Sequence, residues 1–448
     1  MNKLFLICLI VVSYISLTAV NQVTIYNENF SLVRTSLELN LKKGLQSYYL
    51  ENIPKTIEAN SVIIKPLKDK FEIFSQNYEY DLANTDKILE KYIGKEITII
   101  TKSDSKFSGK LQFSDFDTIG LTDSTTGRLN LIKTKEIRNI SLEKLPENFF
   151  LKPTLHWKLI APKSGNYPLD LSYICGGMKW EATYNMVWND EKNKLDINSW
   201  VTITNNSGMA FNDTKLKLVA GEVQKISQKM TREKGERLLQ FSMEGTSAAP
   251  TFEEKAFHDF HLYTLSEKVS INNNQQKQIR LFPAVSVKAN SKYEYKTYSE
   301  KVASKIEFIN SKKEGLGVPL PKGIVKIYKL DAADNNLEFI GEDRINHTPK
   351  DEKVTLQTGY AFDLKGKTVV LDTRKISRKV TERDMKVTLK NHSEKEKKIA
   401  VIHHLNGDWK IYNENLSYKK KDANSIEFEK VLKPDETFEI TWTERIEY

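Results

Sequence analysis

The sequence predicts an all-β protein of several domains: multi-domain β-sandwiches with a small β-barrel inserted. Three observations carry that prediction. Short β-forming runs recur about every 8–12 residues, separated by Gly, Asn, Asp and Lys turns, which is the spacing of sandwiches and barrels. No convincing helical period of about 12 or more residues follows residue 95, so the βα alternation of a doubly wound fold is missing. Apolar residues occupy alternate positions in several runs, as in Leu155-Trp157-Leu159 and Leu169-Leu171-Tyr173, the mark of half-buried strands.

At 448 residues the chain exceeds the roughly 250–300 residues at which a single core stops growing. A hydrophobic content of 39% with 10% aromatics excludes a disordered chain. Lys and Arg outnumber Asp and Glu by 68 to 59, a formal charge of +9 that is dilute over this length. Solvated Lys on strand faces and edges explains it, because edge Lys opposes sheet aggregation. A basic surface for nucleic acid or an anionic polymer is the alternative.

Residues 1–19 read as a signal peptide: Met1-Asn2-Lys3 is the positive segment, Leu4 to Val12 the apolar one, and Ala19 a cleavage position. The apolar stretch is shorter than the roughly 20 residues of a membrane span. The expectation is export to the periplasm or the exterior, with no transmembrane helix left after cleavage. A lipoprotein reading through Cys8 fails because apolar residues continue beyond it. Cys175 is then the remaining thiol, so no internal disulfide forms, and its aromatic strand context points to a buried small hydrophobe.

In order along the chain, residues 20–83 form an N-terminal β-domain with Val23–Ile25, Ser31–Leu41 and Gln46–Leu50 as strands. Residues 84–145 form a separate small unit. Thr85 caps a short helix with Ile88, Leu89, Tyr92 and Ile93 on one face, Gly94 ends it, and five short β-runs follow from Glu96 to Leu142. That order, with Tyr92-Ile93-Gly94-Lys95 and Gly109-Lys110-Leu111, resembles an Sm-like barrel of the wider SH3-like class. Residues 146–300 form a first sandwich and 301–448 a second, interrupted by the polar stretch Gln224 to Ala256, read as a loop. The N-terminal strands are expected to pair with residues 150–222 around the inserted unit.

Four segments together carry a family resemblance: Leu171–Tyr173 through Trp180 and Tyr184; Trp200–Gly208 continuing to Lys215–Gly221; Gly317–Gly323 with Gly341–Ile345 and His347–Pro349; and Gly359–Asp363 with Gly407–Trp409. They resemble the exported bacterial family known as domain of unknown function 4139, which includes mucoidy-inhibitor-like proteins. Val23–Asn27, Leu50–Pro54 and Ser61-Val62 resemble its usual N-terminal companion domain. The small barrel stands where many members carry a coiled coil. The resemblance brings no catalytic residues with it, and it implies an envelope address.

Candidate chemistry is sparse. His258 and His261 differ by three positions and His403 and His404 are adjacent, so on strands the members of each pair face opposite sides, unlike a zinc set. Gly176-Gly177 and Gly315-Leu-Gly317 read as turns, not phosphate cradles. The best polar patches are Arg344 with His347, and Asp408 with Trp409, candidates for surface contact; as structural residues they would be a paired charge and a strand turn. Asn205, Asn212 and Asn391 begin glycosylation-type triplets. The expectation is a non-catalytic binding or structural module, without cofactor or metal, contacting protein or envelope polysaccharide. An envelope hydrolase is the alternative. RNA binding through the small barrel is not expected, since its loops lack an aromatic-plus-Arg set.

Overall fold

The computed structural model describes residues 22–79, 85–144, 150, 152–225, 252–331 and 333–448. The expected leader over residues 1–19, with Cys8, lies outside the described residues, as do the Pro146 linker and most of the polar 224–256 stretch. Among the described residues the fold is almost entirely β, in four sheets of eight, three, five and fourteen strands.

The first sheet is assembled from distant parts of the chain. Strand Gln22–Tyr26 runs antiparallel to Phe30–Leu41 and parallel to Phe211–Ala220. Phe30–Leu41 in turn pairs along its whole length with Gly165–Gly176, setting Leu37 opposite Leu169 and Val33 opposite Tyr173. The N-terminal strands therefore join the 165–220 region around the 84–145 segment, as expected. The period-2 pattern is the cause: Tyr167, Leu169, Leu171, Tyr173 and Cys175 are all buried on one face, and their neighbours are less so.

The fourteen-stranded sheet begins one residue later. Gly176 ends a strand of the first sheet and Met178 starts one of the next, so the chain changes sheets at Gly177. Its φ is 77°, and a Cβ there would lie 2.7 Å from the Asn206 carbonyl oxygen. Only glycine fits both constraints. Strand Met178–Asn189 then pairs antiparallel with Lys194–Asn205 and parallel with Gly323–Leu330. Trp180, Tyr184 and Met186 point with Trp157, Leu159 and Phe211 into the largest core. A second core gathers Tyr295, Val387, Phe428, Ile440 and Trp442 in the C-terminal part.

Residues 85–142 carry their own small core of Leu89, Tyr92, Ile99, Leu111 and Leu121. Helix Thr85–Glu90 precedes five strands, and the last, Ile137–Leu142, lies beside the first, Glu96–Thr101. Ile93 departs from the expected helix face and is exposed, because the helix stops at Glu90 and Ile93 falls in the following turn. No helix among the described residues is long and apolar enough to cross a membrane, which says nothing about membrane crossing by strands.

Two of the glycosylation-type triplets are structural clamps. Asn205 and Asn391 are fully buried, each ending a strand. Asn391 Nδ2 donates to the carbonyls of Lys395, Leu432 and Lys433, while its Oδ1 accepts from the N–H and hydroxyl of Ser393. Asn205 does the same with Met209, Ile271, Asn272 and Ser207. Neither amide nitrogen is free to carry a glycan. Asn212 is exposed.

Candidate functional site

A crevice of about 280 Å³ opens where the first sheet meets the fourteen-stranded one. One wall comes from Asn27, at the end of the first strand. The opposite wall comes from Lys179 and Glu181 on strand Met178–Asn189, and from Arg344 and Asn346 at the end of strand Leu337–Ile345. Lys322 and Gly323 form the floor between them.

The segment before Gly323 is pinned on several sides. Tyr184 and Tyr263 donate their hydroxyls to the carbonyls of Pro321 and Pro319, at 2.8 and 3.1 Å. Leu320 and Thr348 exchange two backbone hydrogen bonds of 2.9 Å. Gly323 then pairs with Ala182 so closely that a Cβ would fall 2.2 Å from the Ala182 oxygen. Three prolines and glycines in Val318-Pro319-Leu320-Pro321-Lys322-Gly323 thus place one cation, Lys322, at the base of the crevice.

Around Lys322 the polar groups are only partly paired. Its ammonium lies 3.7 Å from Glu28 Oε1, and its backbone N–H donates to His347 Nδ1 at 3.2 Å. That second contact puts the proton of the neutral imidazole on Nε2. Burial, and next the neighbouring Lys322 charge, hold the His347 pKa below its ordinary 6.5, with Glu222 opposing. Asn27 donates its amide to the Trp180 carbonyl at 3.1 Å. Asn27 Oδ1, Glu28 Oε2 and His347 Nε2 are buried with no hydrogen-bond partner among the described residues. Buried polar atoms without partners are rare, and three on adjoining residues mark this junction out.

Arg344 stands over the rim, its side chain 77% exposed, 3.6 Å from Glu181 Oε1. An exposed pair at that separation contributes little to stability, so the guanidinium is available to another anion. The guanidinium does not pair with its neighbours in sequence, Glu342 and Asp343; Asp343 accepts from the backbone N–H groups of Arg344 and Gln357, at 2.8 and 2.7 Å.

Of the residues singled out from sequence, Arg344 and His347 meet at this junction. Asp408 and Trp409 do not. They lie on strand Asp408–Tyr412, which pairs with the C-terminal strand. Trp409 donates its indole N–H to the Ala423 carbonyl at 2.8 Å, and Lys420 sits 4.5 Å above its ring. Sequence reasoning missed Asn27, Glu28, Lys322 and Glu181 as site residues. Asn27-Glu28-Asn29 was legible only as a turn, since its neighbour across the crevice lies about 300 positions further along the chain.

His403 and His404 behave as strand geometry requires, whereas His258 and His261 do not share a strand. His403 is buried and His404 exposed, on opposite faces of one strand. His403 Nε2 donates to Glu444 Oε2 at 2.6 Å, and its Nδ1 accepts from the Thr297 hydroxyl at 2.8 Å. His258 has φ 55° in the turn before Phe260, and His261 pairs with Glu254 at 2.7 Å. Among the described residues no group of three or more His, Cys, Asp or Glu could hold a metal ion. Cys175 is fully buried beside the Ser31 hydroxyl, 3.5 Å away, and burial pushes its thiol up to about 11.

A search of curated proteins finds no match to this chain. A family model described as "Domain of unknown function (DUF4139)" matches residues 169–448, more than half of the chain, including every crevice-lining residue except Asn27. On that match, the chain belongs to the DUF4139 family.

Proposed function

We propose that the protein is an exported, non-catalytic binding module of the cell envelope, periplasmic or extracellular, that grips a protein or polysaccharide at the junction crevice. One observation carries this reading: Asn27 Oδ1, on a crevice-lining residue, is a buried acceptor without a partner among the described residues, and Glu28 Oε2 and His347 Nε2, on the two residues that contact Lys322, are likewise buried without one. A ligand bringing a hydroxyl or amide hydrogen to Asn27, with an anionic group for Arg344, would fit the crevice. The crevice carboxylate, Glu181, is tied to Arg344, and Glu28 behind it to Lys322, which suits recognition better than proton transfer. The leader-like Met1 to Ala19 supports export. The 84–145 unit, read as an Sm-like insert, serves protein contact in this view.

The test is capture of envelope material by the immobilised protein, against Arg344→Glu and a variant lacking residues 84–145. The reading expects Arg344→Glu to lose the captured material, and protease or periodate treatment of the extract tells protein from polysaccharide. Equal capture by Arg344→Glu would overturn it.

One observation favours a hydrolase instead: Thr297, His403 and Glu444 form a hydroxyl–imidazole–carboxylate chain. His403 and Glu444 are buried, and neither they nor Thr297 line the crevice. Hydrolysis of envelope polymers that disappears in Thr297→Val would establish this second reading.

A further inference from the structure

Strand Lys353–Lys375 changes partners midway. From Lys353 to Tyr360, and once more at Lys365, it pairs with Lys301–Ile309, and from Leu364 it pairs with Val380–Asn391. At the changeover Lys301 faces Lys365 and Ala303 faces Tyr360, so residues 361–364 stand opposite Val302 alone. This large bulge is held by the His392 N–H donating to the Asp363 carbonyl at 2.8 Å. It turns Leu364 into the second core and pushes Phe362 outward, 87% exposed, with Tyr360 beside it at 57%.

Under the bulge lies a cleft of about 390 Å³, within the roughly 300–1,000 Å³ range of small-ligand sites. Tyr293, Tyr360 and Phe362 give it aromatic surface, and Lys397, Lys329 and Asp190 give it charge. Lys329 is matched by Asp190 at 3.0 Å. Lys397, in the lining, donates to the Tyr293 hydroxyl at 3.2 Å, and two ammonium groups outside the lining lie over the exposed rings, Lys301 over Tyr360 at 5.3 Å and Lys365 over Phe362 at 5.4 Å. None of the three has a carboxylate in ion-pair reach among the described residues, and Asp363 is the only further acid lining the cleft.

We infer that this cleft is a second binding site, for an acidic saccharide of the hexuronate type. A ring carrying an ammonium on one face keeps the other for the apolar C–H face of a sugar. Lys397 then meets the sugar carboxylate, with Lys301 and Lys365 adding positive charge behind the exposed rings, and the hydroxyls of Ser291 and Ser304 along the wall meet its hydroxyls. An exposed phenylalanine flanked by cations and opening on a sugar-sized cleft fits this occupant better than a folded protein face, which would need a wider contact. The inference narrows the proposed binding role to one polymer chemistry, and it rests on a different cleft from the Arg344 crevice.

Calorimetry on the full chain with trigalacturonate, and with a neutral galactose trisaccharide as control, tests it. The expected result is measurable binding of the acidic sugar, weakened by salt, and weak or no binding of the neutral one. Phe362→Ala and Tyr360→Ala, at exposed positions that leave the fold intact, each reduce affinity by about tenfold or more. Lys397→Met reduces it and flattens the salt dependence. Equal binding of acidic and neutral sugars, unchanged affinity in Phe362→Ala, or no uronate binding at all would overturn the inference. Arg344-dependent envelope capture would stand in each of those cases, so the two readings fail separately. A captured protein lost in Phe362→Ala, without uronate binding, would assign the cleft to a protein and refute the saccharide.

Discussion

Replacing Asn391 with Ala should be among the most damaging polar substitutions in the C-terminal half. The side chain is fully buried and holds three carbonyls with its amide at 2.9, 3.2 and 2.9 Å, plus the Ser393 N–H and hydroxyl with its oxygen at 3.0 and 2.7 Å. The amide has two hydrogens, so two full donor bonds and two acceptor bonds are lost. At about 1 kcal/mol net each, the loss reaches about 4 kcal/mol, and water entering the exposed turn returns part of it, leaving about 2–4 kcal/mol. Ser393→Ala, which keeps the amide clamp, should cost about 1 kcal/mol. The assay is denaturant unfolding followed by indole fluorescence, with hydrogen exchange on strand Lys397–His404 to place the loss in the C-terminal core. The chain has several cores, so the C-terminal transition must be read by itself. A loss below about 1 kcal/mol in Asn391→Ala would refute the clamp.

Three further outcomes are expected. Gly177→Ala, with φ 77° and a 2.7 Å approach to the Asn206 oxygen, should destabilise the N-terminal core by about 1–3 kcal/mol or more, read as a lower unfolding midpoint. Native Cys175 should resist alkylation at neutral pH, because its thiol is buried and raised to about 11, and should react once denatured; rapid labelling of its peptide in the native protein would contradict this. His347 has a folded pKa depressed below 6.5, so the unfolded chain binds more protons between the two values. Its contribution is therefore present above 6.5 and lost as pH falls through the folded value. The wild type should lose stability on acidification relative to His347→Gln, and parallel curves would remove the claim.

Strand identity was largely legible because a half-buried strand writes its burial into alternate residues: Leu155, Trp157 and Leu159 are all fully buried, and so are Trp180 and Tyr184. Pairing was less so. The first strand lies parallel to Phe211–Ala220 and Gly323–Leu330 lies parallel to Met178–Asn189, and contacts across such separations leave no local pattern. Strand Lys353–Lys375 reads from sequence as two short runs, Lys353–Leu356 and Val369–Asp372, because its bulged centre carries Gly359 and breaks the alternation. Val285–Lys296 carries its aromatics, Tyr293 and Tyr295, only near its end, and its first half packs Val287 and Ala289 without aromatic signal. At the crevice, Arg344 and His347 stood out as polar residues in a strand-end segment, whereas Asn27, Glu28 and Lys322 gain meaning only when two sheets meet. Asn205 and Asn391 gave a misleading signal: the triplet that suits a glycan acceptor also suits a buried strand-end clamp.

The account turns on the junction crevice being where a partner sits, and hydroxyl-radical footprinting with and without envelope extract measures that directly. Side-chain protection should appear at Lys179–Glu181, Lys322 and Arg344–Asn346 together with Asn27, from both walls at once. Unchanged modification at all of these positions, in an extract from which the protein captures material, would contradict it.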